Sequence, residues 1–370
     1  MNKIKLLSLR LGGRTITFKD GVNYIVGENN SGKTLIFNSI KYSMGILSKF
    51  DTDYFECIEL NVNIGDKCFT FFRNVGSRKI RIVTQDDDFS FVSGSHDLNK
   101  FYQKIFDPKY IYNLEHESML ELLDFCFITE TKTRNRRQEL NAIKSILGVN
   151  TGLIKIFEKE LVFLKDEVRQ DKERERLICD FSKLIINDAN QLNNFEDLSK
   201  IINSSKYKYI EEYRNKENLL KEIKFKLNEL TRENNSKFES DILIIESEFI
   251  ELVKRLNLSI YEFDGLENFI INKYDFSSYG EDLVLRFLLI LSIVIRTNEG
   301  DYNLPSLIVN DSYLSWDIRE SVLTNITDLI EEIFGDREDF QYLEFTYRNN
   351  VPKDKIVYFT SNDGGNYEFN

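Results

Sequence analysis

The octamer GENNSGKT, Gly27 to Thr34, constrains this chain more than any other stretch. It satisfies GxxxxGK[ST] at every fixed position. The run GVNYIV before it reads as a half-buried strand, and the periodic run LIFNSIKYSMG after it reads as a helix. In a strand, loop and helix of this kind, Gly27 and Gly32 let the backbone curl so that successive N–H groups face a phosphate chain, where a side chain is expected to intrude. Asn29, Asn30, Ser31 and Leu35 complete the loop and the first helical turn. Lys33 is placed to reach the β- and γ-phosphates, Thr34 to offer its hydroxyl to Mg²⁺, and the helix to aim its positive end at the same anion. A plain surface turn is the competing reading, and the ordered context on both sides argues against it.

The rest of the chain must therefore build a nucleotide domain, and its 370 residues suffice for two or three domains with a large core. With 42% hydrophobic and 13% aromatic residues, global disorder is excluded. Only three prolines occur, which permits long helices. A net charge of -12 argues against a generally basic, nucleic-acid-coating surface and leaves room for a local basic patch. Cys57, Cys68, Cys126 and Cys179 lie far apart, without CxxC spacing or a histidine cluster, so reduced thiols in a cytoplasmic protein are expected. The apolar part of MNKIKLLSLRLGG is too short for a signal peptide, since charge returns at Arg10. LVLRFLLILSIVI, Leu283 to Ile295, contains Arg286 and falls short of the roughly 20 apolar residues of a membrane span. It reads as a buried core helix, and no membrane partner is expected.

Three regions follow. Residues 1–150 carry the strand runs IKLLSLRL, RTITF and VNYIV, then YFECIELNVNI, KCFTFFRNV and KIRIVTQ as antiparallel strands beside the nucleotide core. Residues 151–240 change character. Ile154, Phe157, Leu161, Leu164 and Val168 alternate spacings of three and four, as a coiled-coil seam does. A second run, Tyr213, Leu220, Ile223, Leu227 and Leu230, is the expected partner, with Asn187 to Lys206 as the reversal. Arms of about 30 to 35 residues make a hairpin about 50 Å long. The other reading is a helical subdomain folded on the core. The charge run RQDKERER, Arg169 to Arg176, is a solvated helix face. Residues 241–370 return to core pattern, with FSSYGEDLVLRFLLILSIVIR, LPSLIVNDSYLSWDIRE and KIVYFTSNDGG.

In this order the pieces resemble an ATP-binding-cassette ATPase of the SMC, RecF and SbcC type. The resemblance covers residues 1–46 and 276–363 well and the middle only in character. It implies an α/β fold: a bipartite ABC-type P-loop ATPase head with an inserted short antiparallel helical (coiled-coil) hairpin, binding ATP and Mg²⁺. SSYGE, Ser277 to Glu281, occupies the place of the LSGGE-like signature, so Ser278 and Gly280 are expected to bind the nucleotide of the opposite subunit. A serine N-cap would explain the same residues. PSLIVND resembles the Walker B strand. Aligned on Pro305, with Asp317 as the D-loop residue, the metal-side position falls on Asn310 and the catalytic acid on Asp311. A second register, similar to an HDS tripeptide of some short SMC-like ATPases, makes Asp311 the metal-side acid and puts Ser312 in the base position. The plain alternative for Asp311 is a strand-end carboxylate. Either register leaves one carboxylate where most relatives have two, and the switch histidine is replaced by Asn362. An amide is a poor ligand for a hard cation and serine a poor base at neutral pH, so intact ATP binding and slow hydrolysis are expected, with Lys33 and Asp311 as the catalytic residues. Glu130, in FCFITETKTRNRR, takes the Q-loop place as a further metal-side candidate. Lys132, Arg134, Arg136 and Arg137 form the basic cluster suited to a phosphate backbone, or else a solvated loop.

The leading function is thus an ATP-gated clamp, a homodimer on ATP that engages DNA together with a separate effector or nuclease subunit. The resemblance extends to compact ATPases that accompany effectors in bacterial genome maintenance or anti-phage systems. The second function is an ATP-sensing assembly scaffold that never touches DNA. A transporter ATPase is disfavoured by the hairpin inserted within the cassette.

Overall fold

The computed structural model describes residues 3–28, 30–106, 118–129, 136–149, 151–188, 195–258, 265–271, 279–297, 305–311, 320–335, 337–347 and 351–360. The chain divides into two compact units, Met1–Val149 with Phe238–Asn370, and Asn150–Lys237.

The first unit holds two sheets. Strands β1 (Ile4–Leu11), β2 (Arg14–Thr17), β4 (Cys57–Ile64), β5 (Lys67–Asn74), β6 (Lys79–Val83) and β7 (Asp88–Val92) form an antiparallel sheet in the order β2-β1-β4-β5-β6-β7. Alternation builds it: β4 buries Ile58, Leu60, Val62 and Ile64 and turns the residues between them outward. Strands β3 (Gly21–Gly27), β8 (Phe127–Ile128), β9 (Leu307–Asp311), β10 (Gln341–Thr346) and β11 (Ile356–Thr360) form a parallel sheet in the order β11-β3-β10-β9-β8. Every residue of β3, β9 and β10 is buried, as expected of parallel strands covered on both faces. Helix α1 (Lys33–Ser43) contacts strands of both sheets. Its Phe37 ring meets Phe127 and Phe345 edge-on at 5.7 and 5.8 Å.

The expected strands of the first region are present, and β7 joins them. Helices α2 (His96–Phe106), α3 (Ser118–Phe125) and α4 (Arg136–Ile146) are additional to the sequence reading. The apolar run near residue 290 is the core helix α8 (Tyr279–Thr297), after a short α7 (Leu266–Ile271). Helix α9 (Glu320–Phe334) completes the unit. No helix among the described residues is long and apolar enough to cross a membrane.

The second unit is built from α5 (Thr151–Asp188) and the part of α6 (Phe195–Arg255) up to Lys237. Leu164, Leu220 and Ile223 are its buried core, with Phe157, Leu161 and Val168 packed on them. Lys216 Nζ bonds Asp171 at 2.8 Å and lies 3.6 Å from Glu167. As the number falls from Asp171 to Leu164 along α5, the partner number rises from Lys216 to Leu220 and Ile223 along α6, so the helices are antiparallel. The reversal is shorter than expected. α5 continues to Asp188 and α6 begins at Phe195, so 14 of the 20 residues read as the reversal, 187–188 and 195–206, are helical. At 1.5 Å per residue α5 is about 57 Å long. Between Asn150 and Lys237 there are 18 Lys and Arg against 17 Asp and Glu, which leaves 31 against 44 in the first unit. The whole negative balance sits in the head.

Candidate nucleotide site

Strand β3 ends at Gly27 and α1 begins at Lys33, so the loop between them is short and its backbone is unusual. Asn30 has φ 63° and Gly32 φ 95°. A Cβ added at Gly32 would meet nothing within 4 Å. Within the protein itself it is the left-handed backbone that calls for glycine there. No side chain caps the start of α1, and no acid lies in its first turn. The end of the helix where N–H groups have no intrahelical acceptor thus carries no competing negative charge. Ser31 and Gly32 are half-buried and Thr34 is exposed, while Leu35 is half-buried at the side of the helix.

Lys33 Nζ donates to the Gly27 carbonyl at 2.7 Å and to the Glu28 carbonyl at 2.6 Å. Burial holds its pKa below the ordinary lysine value, opposed by the negative charges of Asp311 and Glu28. An ammonium held on two carbonyls, close to a carboxylate and partly dehydrated, is poised to exchange those carbonyls for anionic oxygens.

The far end of α1 is fixed by a residue the sequence reading missed. Arg73 is buried to 1% exposure, and its guanidinium lies 3.4 Å from the Tyr42 ring centre. It donates to the carbonyls of Tyr42, Leu47, Ser48 and Ser77. Tyr102 Oη donates to the Met44 carbonyl at 2.7 Å. The signal for Arg73 was its place in β5, where Phe69, Phe71 and Arg73 alternate on the buried face. Lys41, just over two helical turns beyond Lys33, forms a 2.6 Å ion pair with Asp124 of α3.

Strand β9 separates the two residues of the Walker B question. Asp311 pairs in register with Phe345, whose ring packs on Phe37, so Asp311 belongs to the α1 face of the sheet. Asn310 pairs with Glu344 on the opposite face. There its Nδ2 donates to Tyr342 Oη at 3.1 Å, and Tyr342 Oη donates to Glu344 Oε2 at 2.9 Å. The Tyr342 ring packs against Phe287 of α8 and Phe334 of α9. Burial, then the Glu344 charge, push the Tyr342 phenol well above its ordinary value, so it stays a proton donor. Glu344 is fully buried in the centre of the sheet, a second residue missed by the sequence reading.

Gly280 lies in the first turn of α8, and Arg136 and Arg137 open α4. Asn29, Glu130, Lys132, Arg134, Ser278, Ser312, Asp317 and Asn362 lie outside the described residues.

Residues 5–257 match a family model described as an AAA domain. No curated protein sequence matches the chain. Among solved structures it is similar to the Smc head domain of Pyrococcus furiosus, with an extended coiled coil and bound to the C-terminal domain of ScpA. That match has a TM-score of 0.56 and 15% identity and covers 94% of this chain and 90% of that one. A similar Smc head domain with a coiled coil and joint comes from Pyrococcus yayanosii, at TM-score 0.50 and 14% identity, covering 98% and 95%. At such identity the likeness concerns the fold, an SMC-like P-loop ATPase head with a long helical hairpin of α5 and α6. The family match spans more than half the sequence, and the chain belongs to the AAA domain family.

Proposed function

We propose that this chain is an ATP-binding, slowly hydrolysing SMC-like ATPase whose heads pair on ATP, and that it clamps or senses DNA beside a separate effector. The carrying observation is the junction between β3 and α1: an uncapped helix start, Lys33 resting on two carbonyls, and the buried Asp311 on the same side of the sheet. On nucleotide entry Lys33 gives up its carbonyls for phosphate oxygens, and loop amides bind the same phosphates. The Thr34 hydroxyl and the Asp311 carboxylate are the hard oxygen donors that fit Mg²⁺. When bound, that ion neutralises charge on the terminal phosphates.

Asn310, committed to Tyr342 on the other face, favours the register in which Asp311 is the metal-side acid and Ser312 stands where relatives place a base. A serine hydroxyl is a weak base at neutral pH, hence slow turnover. Glu130 adds a metal-side candidate from the Q-loop. Ser278, Gly280 and Asp317 are assigned to the opposite protomer's nucleotide. The charge balance favours two regions for the approach of a polyanion, the near-neutral hairpin and, within the otherwise acidic head, the cluster Lys132, Arg134, Arg136 and Arg137.

Light scattering with ATP tests the dimer. Lys33→Ala should lose nucleotide binding, and Ser278→Arg should keep nucleotide yet stay monomeric. A Ser278→Arg protein that pairs normally removes the signature assignment. DNA titrations with and without ATP at two salt concentrations test the clamp, with a slope of about -0.9 per phosphate contact expected on duplex DNA. Absence of binding at low salt with ATP, both alone and with the natural effector, leaves the ATP-sensing scaffold in its place.

A further inference from the structure

α5 presents a second apolar stripe beside the seam it makes with α6. Ile156, Phe163, Leu177 and Leu184 are 55%, 58%, 68% and 63% exposed, and Phe181 widens the stripe at 60%. With the exposed Gln170 these residues recur every seventh position: 156, 163, 170, 177 and 184. Each of the first four comes one residue before a position of the inner seam or its continuation, Phe157, Leu164, Asp171 and Ile178. They therefore lie about 100° round the helix from α6. A seven-residue apolar repeat keeps to one side of a helix that already supercoils with a neighbour, and it is the pattern a further helix reads.

The order of the stripe is symmetric about Gln170. From the centre outward come Phe163 and Leu177, then Ile156 and Leu184. A row of this kind can meet the same surface of a second copy with its direction reversed, large apolar side chain against large apolar side chain, about a two-fold axis at the central polar residue. We propose that this face of α5 is a self-association surface that takes α5 of a second copy of the chain, antiparallel about a two-fold axis at Gln170.

In that pairing Ile156 meets Leu184 of the second copy, Phe163 meets Leu177, and the two Gln170 amides meet each other. A central polar pair fixes register in helical seams. Flanking charges largely agree. Lys159 falls opposite Asp180 and Glu167 opposite Arg174, each twice, added to the contacts that Asp180 already makes with Arg176 and Lys183 and Arg174 with Asp171. Asp166 opposite Glu173 is repulsive, softened because Arg169 already lies 3.5 Å from Asp166. The stripe is about 42 Å long and on the order of 10 Å wide. It would bury on the order of 800 Å² in all, the scale of a transient contact, so association is expected at about micromolar concentrations or above. The inference does not rest on ATP-driven head pairing and needs no nucleotide.

The experiment uses the full chain without nucleotide, with Cys57, Cys68 and Cys179 replaced by serine and the buried Cys126 left in place. Under mild oxidation Gln170→Cys should give a disulfide-linked dimer. Ile156→Cys alone should give none, and Ile156→Cys with Leu184→Cys should restore it. Sedimentation should show a concentration-dependent dimer that survives Lys33→Ala and weakens roughly tenfold in Phe163→Glu, with helix content unchanged because the position is exposed. A protein that stays monomeric at every concentration overturns the proposal and assigns the face to a different partner. Cross-linking through Ile156→Cys alone as efficient as through Gln170→Cys overturns it as well.

Discussion

In the unit formed by residues 1–149 and 238–370, one buried cluster runs through both sheets and the helices between them, from Ile4 to Val351. In the unit of residues 150–237 the buried cluster is Leu164, Leu220 and Ile223. The difference decides what each can contain. A thick core can enclose polar side chains provided they are bonded, and the head encloses Arg73, Asn310, Tyr342 and Glu344. Among the described residues of the hairpin the buried polar side chains are Asp171 and Asn234, beside a much narrower apolar seam. The hairpin is held by this seam and by ion pairs such as Lys216 with Asp171, and it leaves large apolar side chains in solvent.

Core truncation should separate the units most widely. Leu288 in α8 is fully buried, and Leu288→Ala is expected to cost about 2–5 kcal/mol through lost burial and a cavity that cannot collapse. Leu164→Ala should cost about 1–2 kcal/mol, since that seam lies next to solvent and the gap can be filled. Urea unfolding followed by circular dichroism compares them. Equal losses would mean that the hairpin seam is as tightly built as the head.

Next in size is Asn310→Asp, which tests the register that makes residue 310 the metal-side position. The new carboxylate would lie opposite Glu344 across the parallel register, in a fully buried row. The expected outcome is a loss of about 1–3 kcal/mol with no gain in hydrolysis. Adding Glu344→Gln should recover most of the stability. A stable Asn310→Asp protein that hydrolyses ATP faster would instead put the metal-side position at residue 310.

How much of this was legible beforehand depends on the range of the interactions. The loop at Gly27–Thr34, strands β1 to β6 and the apolar α8 were readable because local periodicity specifies them. The inner seam was readable for the same reason, and Leu164, Leu220 and Ile223 are buried in it. The turn was misjudged because Asn- and Asp-rich sequence reads as loop, whereas a helix that buries one narrow stripe tolerates polar residues elsewhere. Arg73 and Glu344 were missed because their partners lie on other elements: the carbonyls at the end of α1 for one, the Tyr342 hydroxyl for the other. The face of Asn310 was undecidable for a related reason. Alternation separates it from Asp311, but only the pairing with β10 says which of the two meets α1.

The smallest expected effects come from two lysines whose pKa values move in opposite directions. In the hairpin, bonding to Asp171 raises Lys216 above the ordinary value, with burial opposing. A base raised on folding stabilises the fold below its unfolded pKa, and that contribution is lost as pH rises through the folded one. Lys216→Ala should therefore cost the partly exposed hairpin about 0.5–1 kcal/mol at neutral pH and nothing above the lysine range. In the head, burial lowers Lys33. Between its depressed pKa and the ordinary value the unfolded chain binds more protons, so the penalty of burying this ammonium shrinks as pH rises. ATP reverses the preference, because phosphate favours the charged lysine. Binding should thus take up a proton in that window, and nucleotide affinity should fall as pH is raised towards the lysine range. Titration of a fluorescent ATP analogue from about pH 7 to 10 measures it. Lys33→Arg, whose guanidinium stays charged, should bind with a flatter profile. An unchanged slope in Lys33→Arg would mean that a different group sets the pH response, and the contrast between a charge tuned by burial and one tuned by pairing would be lost.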